Sequence, residues 1–89
     1  MKLYIEFSWN YDTAELLEYL KEKELRIFHK NQPVKEEDVD RLMPGMALKH
    51  KSGVMVRVMN RFTNYENLSN DFLLAAVNIR REDLELFAK

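Results

Sequence analysis

The stretch LKHKSGVMVRVMNRF, Leu48 to Phe62, alternates valine with methionine and basic residues and contains no acid. Its reading turns on the loop inside it. A three-residue loop at Lys51–Gly53, built as a type I turn followed by Gly53 in the left-handed region with a bulge, sets His50 opposite Val54, Leu48 opposite Val56 and Met46 opposite Val58. These residues make a nearly continuous apolar face. Lys49 opposite Met55, and Ala47 opposite Arg57, then fall on the other face. A two-residue loop at Ser52 and Gly53 mixes lysines with valines on one face. A slip of one residue carries every side chain across the sheet, so the cleaner separation predicts the three-residue loop. Met55 and Met59 share the basic face, either presented to a partner or covered by a helix while the basic residues snorkel out at the edges.

The same patterning extends outward. KLYIEFSW alternates Leu3, Ile5, Phe7 and Trp9 against Lys2, Tyr4, Glu6 and Ser8, the period-2 signal of a half-buried strand. Asp12 as N-cap, Glu15 three residues on and a Tyr11–Leu16 staple predict a helix over 12–23. Its inner stripe is Leu16, Leu17 and Leu20, with Tyr19 at the margin. LRIFHK at 25–30 predicts a strand with Leu25, Ile27 and His29 on one face, and NQP at 31–33 a turn. VKEEDVDRLM predicts a short second helix with Val39, Leu42 and Met43 inward, ended by Pro44 and Gly45. TNYENLSND at 63–71 is loop-like. FLLAAVNI at 72–79 suits strand or helix by periodicity; strand is preferred because Val58–Phe62 needs a partner. RRED at 80–83 predicts a turn and LELF at 84–87 a last short strand.

The chain has 89 residues, which suits one domain over 1–89 with a strand–helix–strand–short helix portion to residue 43 and a hairpin sheet from 44. The expected class is α+β. PGMALKHKSGVMVRV at 44–58, then a long loop, a strand and RREDLELF, resembles the SH3-like small β-barrel class over residues 44–87. That resemblance implies a twisted hairpin, and a single helical turn before the last strand.

Net charge is −1, but it is unevenly spread. Residues 1–40 hold six basic and ten acidic side chains, and residues 66–89 three and five. Residues 41–65 hold Arg41, Lys49, Lys51, Arg57 and Arg61 and no acid, a local net of +5. With no cysteine, disulfides, thiolate metal sites and a cysteine nucleophile are excluded. The absence of staples in so small a domain, of a signal-like N-terminus and of an apolar run near the roughly 20 residues of a membrane span leads to an expected cytoplasmic location and no membrane.

Catalytic patterns are missing. His29 and His50 have no metal-ligand spacing, and His50 between Lys49 and Lys51 disfavours a cation site. Glu36, Glu37, Asp38 and Asp40 lack the glycine and alternate spacing of a calcium loop and suit a helix start. Ser8, Ser52 and Ser69 sit in no nucleophile motif, and Gly45 and Gly53, the two glycines, cannot form a phosphate loop. No catalytic, cofactor or metal site is therefore expected. The expected function is non-enzymatic: a protein-binding module acting by docking, as a small regulator, an inhibitor (for example a phage or bacterial accessory protein) or an assembly subunit. The candidate partner surface is Lys49, Lys51, Met55, Arg57, Met59, Arg61 and Tyr65. The alternative is nucleic-acid binding by the basic hairpin 48–62, with phosphates on the cations and a base stacked on Tyr65. A homo-oligomer formed through the strand at 84–87 as a sheet edge is a further expectation.

Overall fold

The structure is a computed structural model. It describes residues 2–8, 13–60, 71–77 and 79–88, with side chains described for 13–59 and 79–88. Its elements are β1 (Lys2–Ser8), α1 (Thr13–Glu22), β2 (Leu25–His29), β3 (Gln32–Pro33), a 3-10 turn (Glu36–Asp38), β4 (Met46–His50), β5 (Met55–Asn60), β6 (Asp71–Val77) and a C-terminal 3-10 helix (Arg81–Leu86). The six strands form one sheet in the order β1-β6-β5-β4-β2-β3. Every neighbouring pair is antiparallel.

The loop that decides the hairpin has three residues. His50 N–H donates to the Val54 carbonyl at 2.8 Å, Gly53 N–H donates to the His50 carbonyl at 2.9 Å, and Gly53 has φ +100°. Ala47 then faces Arg57, Leu48 faces Val56 and Lys49 faces Met55, the register the alternation predicts. The strand reading of 72–79 also holds as Asp71–Val77, which lies between β5 and β1.

Four neighbouring steps separate β1 from β2, so the two strands run parallel and α1 is their crossover. The connection spans about 19 Å of sheet at strand spacings near 4.8 Å, which places the helix against one face. Leu16, Tyr19 and Leu20 of α1 enter the core there. They meet Leu25 and Ile27 of β2, Met46 and Leu48 of β4, and Val56 and Val58 of β5. Leu16, Leu42, Leu48, Val56 and Phe87 are fully buried, and each such side chain contributes roughly 1.5–3 kcal/mol by leaving water.

Several expectations are corrected. The turn lies at Lys30 and Asn31, with φ of 52° and 63°, and not at 31–33; Gln32 and Pro33 form a two-residue edge strand on β2. Two consecutive positive φ values are those of a type I′ hairpin turn, whose twist matches that of the flanking strands. The expected second helix shrinks to the single turn Glu36–Asp38. β-branched Val39 has extended backbone, and Asp38 and Asp40 are poor helix-interior residues. Val39 and Leu42 are nonetheless buried and Met43 packs beside them, so the inward assignment holds without the helix. Thr13 Oγ1 donates to the Asp40 carbonyl at 3.1 Å and ties this segment to the start of α1. Pro44 and Gly45 turn the chain into β4: Met46 N–H donates to the Met43 carbonyl at 3.1 Å with Gly45 at φ +95°, the type II pattern.

LELF is not a strand. Residues 81–86 form a 3-10 helix after extended Arg80, whose guanidinium meets Asp83 at 3.3 Å. Its amphipathic turn delivers Phe87 into the core, where the Tyr19 hydroxyl donates to the Phe87 carbonyl. Tyr19 is therefore core rather than margin, because that carbonyl satisfies its one polar atom. Residues 84–87 are therefore not the sheet edge through which self-pairing was expected. The sheet edges are β1 and β3, and no described pairing joins them, so the sheet is open and the barrel suggested by the SH3-like resemblance does not form. Tyr11 and Asp12, the expected staple and cap, and Trp9 of the first alternation lie outside the described residues.

Candidate functional site

Among the described residues the helix layer covers one face of the sheet and leaves the other bare, as an antiparallel sheet allows. The bare face is fixed by register. One row across it is Arg26, Lys49 and Met55; the next is Phe28, Ala47 and Arg57. Met59 stands two residues beyond Arg57 on β5. Met55 is 43% exposed and Met59 46%, which answers the question left by the sequence: α1 does not cover them.

Residue size then shapes this face. Gly45 just before β4, and Ala47 and Lys49 on it, stand along this face at alternate positions, small, small and long. β2 on one side carries Phe28, and β5 on the other carries Met55, Arg57 and Met59. The result is a depression of about 600 Å³ whose lining includes Phe28, Gly45, Ala47, Met55, Arg57 and Met59. Lys30 and Asn31 of the type I′ turn border it, and Lys49 stands at its end. Among the described residues no aspartate or glutamate lines it.

The cations here are of two kinds. Lys51, expected on this face, is in the hairpin loop, where its ammonium lies 2.8 Å from a Glu24 oxygen. Its hydrogen bond to Glu24 holds that carboxyl below the usual glutamate range. Glu24 has φ 57°, the left-handed conformation that turns the end of α1 into β2, and its carbonyl accepts from Lys51 N–H at 3.2 Å. Lys51 is thus part of the scaffold. Lys49, Arg57, Arg26 and Lys30 have no carboxylate partner among the described residues. The Lys49 ammonium sits 5.7 Å from the centroid of the Phe28 ring, a cation–π distance.

Of the seven residues expected at a partner surface, Lys49, Met55, Arg57 and Met59 come together on the bare face. Lys51 stands at its flank, and Arg61 and Tyr65 lie outside the described residues. Sequence reasoning missed Arg26, Phe28, Lys30, Gly45 and the central Ala47. Their signal was present in part: Arg26 and Phe28 alternate with the inward Leu25 and Ile27. What it lacked was the neighbour relation of β2 to β4, which no short loop announces.

Among the described residues no cluster of three His, Asp or Glu side chains is arranged to hold a metal, and no helix is long and apolar enough to cross a membrane. No protein family matches the sequence, and neither a curated protein nor a solved structure matches it.

Proposed function

We propose that this chain is a non-enzymatic docking module that binds another protein through the bare face of its sheet, as a small regulator, inhibitor or assembly subunit would. The observation that carries the reading is the exposure of Met55 and Met59 beside a depression centred on Ala47. Methionine is flexible and polarizable, and it adapts to the side chains of a protein partner. Arginine in an interface adds planar hydrogen bonding, and Arg57 stands between the two methionines on β5.

The four cations that have no carboxylate partner among the described residues also favour phosphates, which keeps nucleic acid as the second reading. Two features weigh against it. Phe28, the one aromatic ring described on this face, has the Lys49 ammonium 5.7 Å from its centroid, which a stacking base would have to displace. The whole chain carries a net charge of −1, far from the basic balance of most nucleic-acid-binding domains.

The test is selection of binders from a random displayed-peptide library on the immobilised protein, each clone then being assayed against Ala47→Leu. That substitution fills the depression at a half-exposed position and removes no contact. Binders that lose affinity for Ala47→Leu support the docking face. Absence of such binders contradicts it. So does tight, salt-sensitive binding of an oligonucleotide that Arg57→Glu abolishes.

A further inference from the structure

The depression has an apolar interior and a cationic rim, and the two features together constrain what fits. Its floor and walls are Ala47, Phe28, Met55 and Met59. Its rim is Lys30 at one end, Lys49 at the other and Arg57 between the two methionines. None of the three cations is neutralised among the described residues, whereas Lys51, just outside, is paired with Glu24. Among the described residues the same surface therefore holds one compensated cation and three uncompensated ones, and the uncompensated ones border the hollow.

From this we infer that the occupant is a short acidic segment of a partner protein, with a large apolar side chain seated over Ala47 and carboxylates on Lys49 and Arg57. This rests on the docking reading above. The dimensions agree. β4 runs about 14 Å from Met46 to His50 at roughly 3.4 Å per residue, the length of four or five extended residues. Lys49 and Arg57 are diagonal neighbours across the β4–β5 pair, about 7–8 Å apart at the backbone, so carboxylates two residues apart on an extended segment reach both. The apolar side chain supplies affinity by leaving water, and the carboxylates supply orientation and rate of encounter more than affinity.

The inference is tested with synthetic fluorescein-labelled peptides long enough to span the depression with flanking residues on either side. One alternates Asp or Glu with Leu or Phe, one carries Lys in place of the acids, and one carries Ser in place of the apolar residues. Fluorescence anisotropy against the full chain should show binding by the acidic–apolar peptide alone. That binding should weaken severalfold between about 50 and about 300 mM salt, by about tenfold or more in the Lys49→Glu and Arg57→Glu variants, and to background in Ala47→Leu. Circular dichroism confirms that each variant is folded. Equal binding of the lysine-bearing peptide, or binding of none of the three, overturns the inference. Peptides selected on the bare face but lacking acids would overturn it while leaving the docking reading standing; a (dT)n oligonucleotide binding in place of peptides would overturn both. Concentration-dependent self-association abolished by Arg57→Glu would identify the occupant as a second copy and likewise overturn it.

Discussion

Substitution of Leu48 by alanine, set against the same change at neighbouring Lys49, measures the register on which the two faces depend. Leu48 is fully buried opposite Val56, and Lys49 is exposed opposite Met55. Leu48→Ala deletes three carbons, worth about 2.4 kcal/mol at roughly 0.8 kcal/mol each. A partly collapsed cavity of some tens of Å³ adds about 1 kcal/mol. The expected loss is therefore about 3 kcal/mol. Lys49→Ala forfeits one exposed cation–π contact, about 0.5–1 kcal/mol. A domain of this size has a total stability of roughly 4–13 kcal/mol, so the first change removes a large share and the second a small one. Urea unfolding followed by far-UV circular dichroism separates them. With a slope of about 1–1.5 kcal/mol per molar, Leu48→Ala moves the midpoint down by about 2–3 M and Lys49→Ala by less than about 1 M. Equal losses at the two positions, or a larger loss at Lys49, would mean that the hairpin is shifted by one residue and would refute the separation of faces.

Other consequences are open to similar measurement. Lys30 and Asn31 both hold positive φ in the type I′ turn; replacing them with Asn and Gly, the preferred pair there, should stabilise the fold by about 0.5–1 kcal/mol and raise the thermal midpoint by about 2–8 °C. Gly53 has φ +100° and open space where a Cβ would lie, so Gly53→Ala should cost only the torsional strain, about 1–2 kcal/mol, and leave the hairpin hydrogen bonds detectable by amide exchange. Burial pushes the Tyr19 hydroxyl above the ordinary tyrosine range. Its neutral form is favoured in the fold, so its stabilising share is complete below about pH 10 and declines above it as the unfolded tyrosine ionises. Tyr19→Phe, which orphans the Phe87 carbonyl, should cost about 1–2 kcal/mol near neutrality, and its gap from the wild type should narrow between about pH 9 and pH 11. A gap that widens with pH would contradict the assignment of Tyr19 as a buried neutral donor.

How far the sequence reached can be judged element by element. The hairpin was legible because two local signals agreed: the alternation of Val54, Val56 and Val58 with Met55 and Arg57, and a loop whose glycine accepts positive φ. β1 and β2 were legible from their period, α1 from its start signals and its Leu16, Leu17 and Leu20 stripe, and β6 from the need of β5 for a partner. The failures have a shared cause. At 34–43 and 80–87 the apolar residues are spaced for burial, but short-range propensity is weak, and tertiary packing decides the backbone. Val39 and Leu42 fill the core from an irregular segment, and Phe87 does so from the end of a 3-10 helix. The barrel reading failed with the second of these, since it needed a closing strand at 84–87. The candidate surface was legible as a set of like charges with two methionines. Its concavity was not, because a hollow depends on which small residue lies between which large ones across strands distant in sequence. Ala47 acquires meaning only beside Phe28 and Arg57.

Among the described residues one face of the sheet is uncovered and presents Met55 and Met59 to solvent. Methyl spectra of the chain labelled at its methionines with carbon-13, recorded with and without a soluble paramagnetic agent, test it most directly. Met55 and Met59, at 43% and 46% exposure, should be strongly broadened, while Met46, at 7%, should be protected. Protection of Met55 and Met59 to the level of Met46 in the monomeric protein would show that this face is covered, and would contradict both the docking surface and the acidic segment assigned to it.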